Sequence, residues 1–226
     1  MSSVSEWLVR EYFEALGFLV SEPCKYSVPG RPKKREEELD MIVVNPRLER
    51  QEIPDHIVWT TEDVKKIARA VIGVRGWHTE RFYTSRFEQT PEILRFAEAA
   101  SVDLVAKRIG TTDVAKILCL PGLPASGDLK KRALSVLKEK GVDGVLPFRT
   151  ILIELVGSVD VNKNYEKSDV LQLLRILKNY DLLRDDQMEL FGKKKKVMKQ
   201  KQAAKTVSAE PPAELRAPQG EEPKPA

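Results

Sequence analysis

Two segments hold the residues whose types and spacing could do chemistry: Glu38-Leu39-Asp40-Met41-Ile42-Val43-Val44 and Val71-Ile72-Gly73-Val74-Arg75-Gly76-Trp77. Both are rich in β-branched residues, which marks them as strands. Residues two apart on a strand share a face, about 6 to 7 Å apart along it, so positions 73 and 75 project together. In a phosphodiester hydrolase such a face presents one group to bind Mg²⁺ and one cation near the attacking water or the departing charge. A second carboxylate arrives from the neighbouring strand. Asp40 suits that last part. Gly73 offers no ligand, and the Arg75 guanidinium stays protonated, so it can neutralise charge but cannot act as a base.

Other residues compete for roles. Glu80, in Trp77-His78-Thr79-Glu80, would join Asp40 on Mg²⁺ if Gly76 distorts the strand, although simple alternation turns it to the opposite face. Glu6 is a further acid, already accounted for by a capping-box pattern with Ser3. Trp77 and His78 stand where they would stack on a base or bond a phosphate, but a strand-end aromatic is more often core or rim packing. For His78, no second His or Cys stands at metal-ligand spacing. Asp40 has its own structural alternative, because an acid in an apolar run needs a partner and a buried ion pair with Arg75 would supply one. A literal Pro54-Asp55 … Asp63-Val64-Lys65 match lies in helix-start chemistry with alternating charge, and reads as a chance match.

The elements that would position these groups follow from periodicity. Val4, Trp7, Leu8, Tyr12, Ala15 and Leu16 recur at helical spacing until Gly17, and Phe18-Leu19-Val20 is a short strand. Leu39 to Val44 is the second strand, apolar enough to be covered on both faces, and Val71 to Trp77 the third. Thr60 or Thr61 caps a short helix before it. Thr90-Pro91-Glu92 opens a helix carrying Ile93, Leu94, Phe96, Ala97 and Ala100. Lys116 to Pro121 is a buried strand, Asp128 to Lys140 an amphipathic helix and Val142 to Phe148 another strand, which implies a parallel pair. Thr150 to Val159 reads as a helix, and Ser168 caps a final one ending near Leu183.

This order of helix, three strands, helix, strand, helix, strand, with the Glu-Leu-Asp acid opening the second strand, resembles the PD-(D/E)xK restriction-endonuclease-like superfamily over about residues 3 to 183. The resemblance implies an α/β, restriction-endonuclease-like core: a central mixed sheet of about four to five strands flanked by helices. In that family the strand-two Asp and an acid on strand three hold a divalent metal, and a Lys two residues later helps activate water. Asp40 matches the first position, while Gly73 and Arg75 replace the other two, so the motif is degenerate. If the site is active, the expectation is Mg²⁺ on Asp40 and Glu80, with Arg75 as the charge-neutralising group.

Charge is unevenly placed. The net +4 divides into nine basic and four acidic residues from Gly192 to Ala226, against 29 and 30 in the first 191 positions, so the basicity belongs to the tail rather than to the domain. The expected organisation is one domain over residues 1–191 and a disordered tail over 192–226, Lys-rich and then Pro- and Glu-rich. Lys193, Lys194, Lys195 and Lys196 head that tail and are candidates for phosphate contacts. No apolar run is long enough to cross a bilayer, and the start lacks a secretory pattern, so a cytoplasmic protein is expected. Cys24 and Cys119 lack metal-type spacing and read as plain thiols. Three functions stay open: a catalytically silent nucleic-acid binder, DNA ahead of RNA; an active Mg²⁺-dependent nuclease; and a scaffold pairing through its C-terminal helix with a second copy or a protein partner.

Overall fold

Alternation along the strands sets the layers. The computed structural model describes residues 4–23 and 39–183. Five strands, β1 (Leu19–Ser21), β2 (Met41–Val44), β3 (Arg69–Val74), β4 (Ala115–Leu120) and β5 (Gly144–Pro147), form one open mixed sheet in the order β1-β2-β3-β4-β5. The β1–β2 and β2–β3 pairings are antiparallel, and β3–β4 and β4–β5 are parallel. Seven α-helices among the described residues accompany them: α1 (Val4–Ala15), α2 (Thr61–Val64), α3 (Thr84–Gln89), α4 (Ala99–Ile109), α5 (Gly127–Glu139), α6 (Phe148–Ser158) and α7 (Asp169–Asn179). None is long and apolar enough to cross a membrane.

On β3, Ala70, Ile72 and Val74 enter one apolar cluster and Val71 the other, as a side-chain period of two requires. The first cluster joins the sheet to Val9, Tyr12 and Phe13 of α1 and to Ile151 and Leu155 of α6. The second joins it to Phe87 of α3, Val105 of α4, and Ala133 and Leu137 of α5. The three middle strands are therefore covered on both sides, which explains the near-continuous apolar character of β2.

Local chemistry sets the element ends. Gly17 follows α1 at φ +89°, a conformation open to glycine without a Cβ penalty. Ser168 caps α7, its hydroxyl accepting from the Leu171 N–H at 3.2 Å. Thr60 caps α2 in a reciprocal capping box with Asp63. That helix covers only Thr61–Val64, because β3 begins at Arg69, two residues before the expected strand start.

The largest departure lies between β3 and β4. A single helix opening at Thr90-Pro91-Glu92 is replaced by α3, two 3₁₀ turns at Pro91–Ile93 and Arg95–Ala97, and α4. The reason is visible in the carbonyls. A continuous α-helix would offer Glu92 and Ile93 carbonyls to N–H groups four residues on, but the Arg75 guanidinium takes both, at 3.2 and 2.8 Å. The segment turns tightly instead and sends Ile93, Leu94, Phe96 and Ala97 into the core.

Candidate functional site

The antiparallel register pairs Met41 with Ile72. One step further along each strand sets Asp40 across from Gly73, on the face that holds Ile42 and Val71. The two segments that carry Asp40, Gly73 and Arg75 thus converge. Asp40 accepts a hydrogen bond from the Val74 N–H at 2.7 Å and another from Arg75 Nη1 at 2.6 Å, both on Oδ2. With side-chain exposures of 19% for Asp40 and 11% for Arg75, the pair lies largely out of water.

Arg75 is engaged through both terminal nitrogens. Nη1 donates to Asp40 and to its neighbour's carbonyl, Val74 O, at 2.7 Å, while Nη2 holds the Pro91–Ile93 turn through Glu92 and Ile93. The guanidinium's planar fork suits this use, since it donates in several fixed directions at once. Burial pushes the Asp40 carboxyl above its usual range, and the Arg75 charge and the Val74 N–H oppose that push. The Glu6 charge, in the first turn of α1, acts in the same direction as burial, which brings this helix acid within electrostatic reach of Asp40. Ser3, its expected capping partner, lies outside the described residues.

Gly73 explains why the neighbouring position carries no ligand. A Cβ built there would lie 2.5 Å from Phe96 Cδ1 and 2.6 Å from Cε1. Phe96 is fully buried, so its ring occupies the volume that a side chain at position 73 would need. Phe96 is the residue that sequence reasoning missed: it read there as one apolar helix position among several. The missing side chain at Gly73 was the available signal, since an interior glycine in a strand marks close approach by another group.

The remaining candidates have other partners. Glu80 forms an ion pair with Arg86 at 3.0 Å, which accounts for the carboxylate that was expected to share a metal with Asp40. Trp77 is 39% exposed, stacks on Phe82 with centroids 5.7 Å apart, and has the Arg86 guanidinium 4.9 Å from its ring centroid. His78 Nε2 lies 3.0 Å from Ser5 Oγ, with its ring edge-to-face on Phe148. A Cβ at Gly76 would collide with that same Ser5 hydroxyl, so the end of β3 presses against the start of α1. Among the described residues no group of three His, Cys, Asp or Glu side chains is placed to hold a metal ion. Lys193, Lys194, Lys195 and Lys196 lie outside the described residues, as does Cys24. Cys119 is fully buried, and desolvation raises its thiol pKa, as expected of an inert structural thiol.

The literal motif match resolves into a helix start. Burial pushes Asp63 up, but hydrogen bonds from the Thr60 hydroxyl at 2.7 Å, the Thr60 N–H at 2.8 Å and His56 outweigh it and hold the carboxyl at about 2. Lys65 pairs with Glu62 on the exposed side. Comparison with protein-family models, curated proteins and solved structures found no match to this chain.

Proposed function

We propose that this chain is a nucleic-acid-binding protein of the cytoplasm, built on a restriction-endonuclease-like scaffold whose catalytic centre is degenerate. The observation that carries the reading is the Asp40–Arg75 ion pair beside the Phe96-filled Gly73 position. In an active site of this class Asp40 would be an open metal ligand. Here one of its oxygens accepts from both a guanidinium and a backbone N–H, and the adjoining ligand position is taken up by an aromatic ring. Mg²⁺ would have to displace Arg75, which also secures the turn bearing Glu92 and Ile93. Support for nucleic acid as the partner comes from the nuclease-like element order and from the seven lysines without an acid between Gly192 and Lys205, a composition that releases counterions on contact with phosphates.

The test sets binding beside cleavage. Wild type should retain labelled DNA or RNA in EDTA and should leave plasmid and single-stranded substrates intact in Mg²⁺ or Mn²⁺. Cutting that is present in wild type and lost in Asp40→Asn would establish the active nuclease instead, with Asp40 in its mechanism. A second reading, a protein-interaction scaffold, is favoured by one observation: Leu173, Ile176, Tyr180 and Leu182 are exposed on and just beyond α7. A chain that holds no nucleic acid yet self-associates through these residues would decide for it.

A further inference from the structure

Resting on the nucleic-acid reading above, we infer that single-stranded nucleic acid lies across the face made by α3 and α5, with its phosphates on Lys130, Lys131 and Arg132 and a base against Tyr83. Helix α5 buries Ala133 and Leu137, which turns the three preceding residues outward, and all three are exposed. Their charges are unspent. Arg10, Lys65, Arg69, Arg75 and Lys116 have acidic partners within 4 Å; these three, like Lys66, Lys107 and Lys138, have none among the described residues, and they differ from those in standing three in a row in the chain. Consecutive unpaired cations on a rigid helix form a local positive surface on a domain that is otherwise near neutral.

The aromatic half of the face is assigned to the element packed against α5. Helix α3 packs against α5, and the segment leading into α3 is tied to the loop before α5 by Phe82 N–H to Gly122 O at 3.2 Å and by Arg81 Nη1 to Leu123 O at 3.2 Å. That segment carries Trp77, 39% exposed, and Tyr83, 43% exposed. Arg86, beside Trp77, keeps a buried Nε without a hydrogen-bond partner. Exposed aromatic surface beside a run of free cations is the combination that binds unpaired strands, because stacking needs bases freed from a duplex while the backbone follows the positive track. A duplex would meet the same cations and leave Tyr83 idle.

The experiment uses the full-length chain in EDTA and follows fluorescence anisotropy of a labelled single strand and of its duplex over a salt series. Replacing Lys130, Lys131 and Arg132 together by Gln, which keeps helix propensity, should weaken single-strand binding about tenfold and lower the salt slope by about 2. Tyr83→Ala should weaken the single strand about fivefold and leave the duplex unchanged. Circular dichroism and melting temperature would confirm that both variants fold. Wild-type binding that survives the triple substitution undiminished would overturn this face while leaving nucleic-acid binding intact. A triple-sensitive binder indifferent to Tyr83→Ala would overturn the single-strand assignment. Absence of wild-type binding to either probe would overturn the underlying reading itself.

Discussion

At the scale of single residues, Arg75 does the most. It neutralises Asp40, closes the end of β3 on its own Val74 carbonyl, and supplies donors to two carbonyls of the next turn. Lys at this position would keep the charge but could not reach these partners with a rigid fork. Arg75→Ala should therefore lower stability by about 3 kcal/mol, the low end for breaking a buried pair, since Asp40 is left without its cation and the turn loses its donors. Chemical denaturation would measure the loss. Adding Asp40→Asn to that variant should recover part of it by removing the orphaned charge. If Arg75→Ala costs less than about 0.5 kcal/mol, the pair is a surface contact of the usual small worth and Asp40 is more available than its geometry implies.

At the scale of elements, the closed site comes from a strand and a turn acting together. Gly73 is open on its own strand, but the Arg95–Ala97 turn brings Phe96 over it, and Arg75 holds the preceding turn in place. Introducing the charged residues that the PD-(D/E)xK resemblance implies, by Gly73→Glu with Arg75→Lys, should thus produce no metal-dependent cutting. The double variant should also be destabilised by about 2 kcal/mol or more, because the new side chain meets a buried ring and its charge enters an apolar cluster. Adding Phe96→Ala should return part of the stability by making room. Cutting recovered by the double variant alone would show that Phe96 moves aside easily. The coupling also explains what could be read in advance. Strands and caps were legible because period-two alternation and Ser or Thr caps are local signals. The 3₁₀ turns were not, because Glu92 and Ile93 receive their hydrogen bonds from a residue 17 or 18 positions away. The Asp40–Arg75 pairing stood among the alternatives because both residues sat on adjoining strands, while a place for Glu80 beside Asp40 required a distortion at Gly76 that no local signal specifies, and Glu80 pairs with Arg86.

At the scale of the whole molecule, the question is whether the folded state has any use for a divalent ion. A ligand that binds only the folded chain adds RT ln(1 + [L]/Kd) to its stability, so an ion held with a dissociation constant of about 0.1 mM would add about 2.7 kcal/mol at 10 mM. Such a gain raises the melting temperature by roughly 7 °C in a domain of this size. Asp40 is committed to protein donors and Glu80 to Arg86, so 10 mM Mg²⁺ or Mn²⁺ should move the thermal transition by no more than an equal ionic strength of a monovalent salt does. Differential scanning fluorimetry in paired buffers reads this directly. The Arg75→Ala variant supplies the internal contrast: with the guanidinium gone, Asp40 loses the cation that pairs with it. A divalent ion should then stabilise the variant more than wild type. A wild-type shift as large as that of the variant would mean that the ion binds without displacing Arg75, and the ion pair would no longer support the proposal of a degenerate centre.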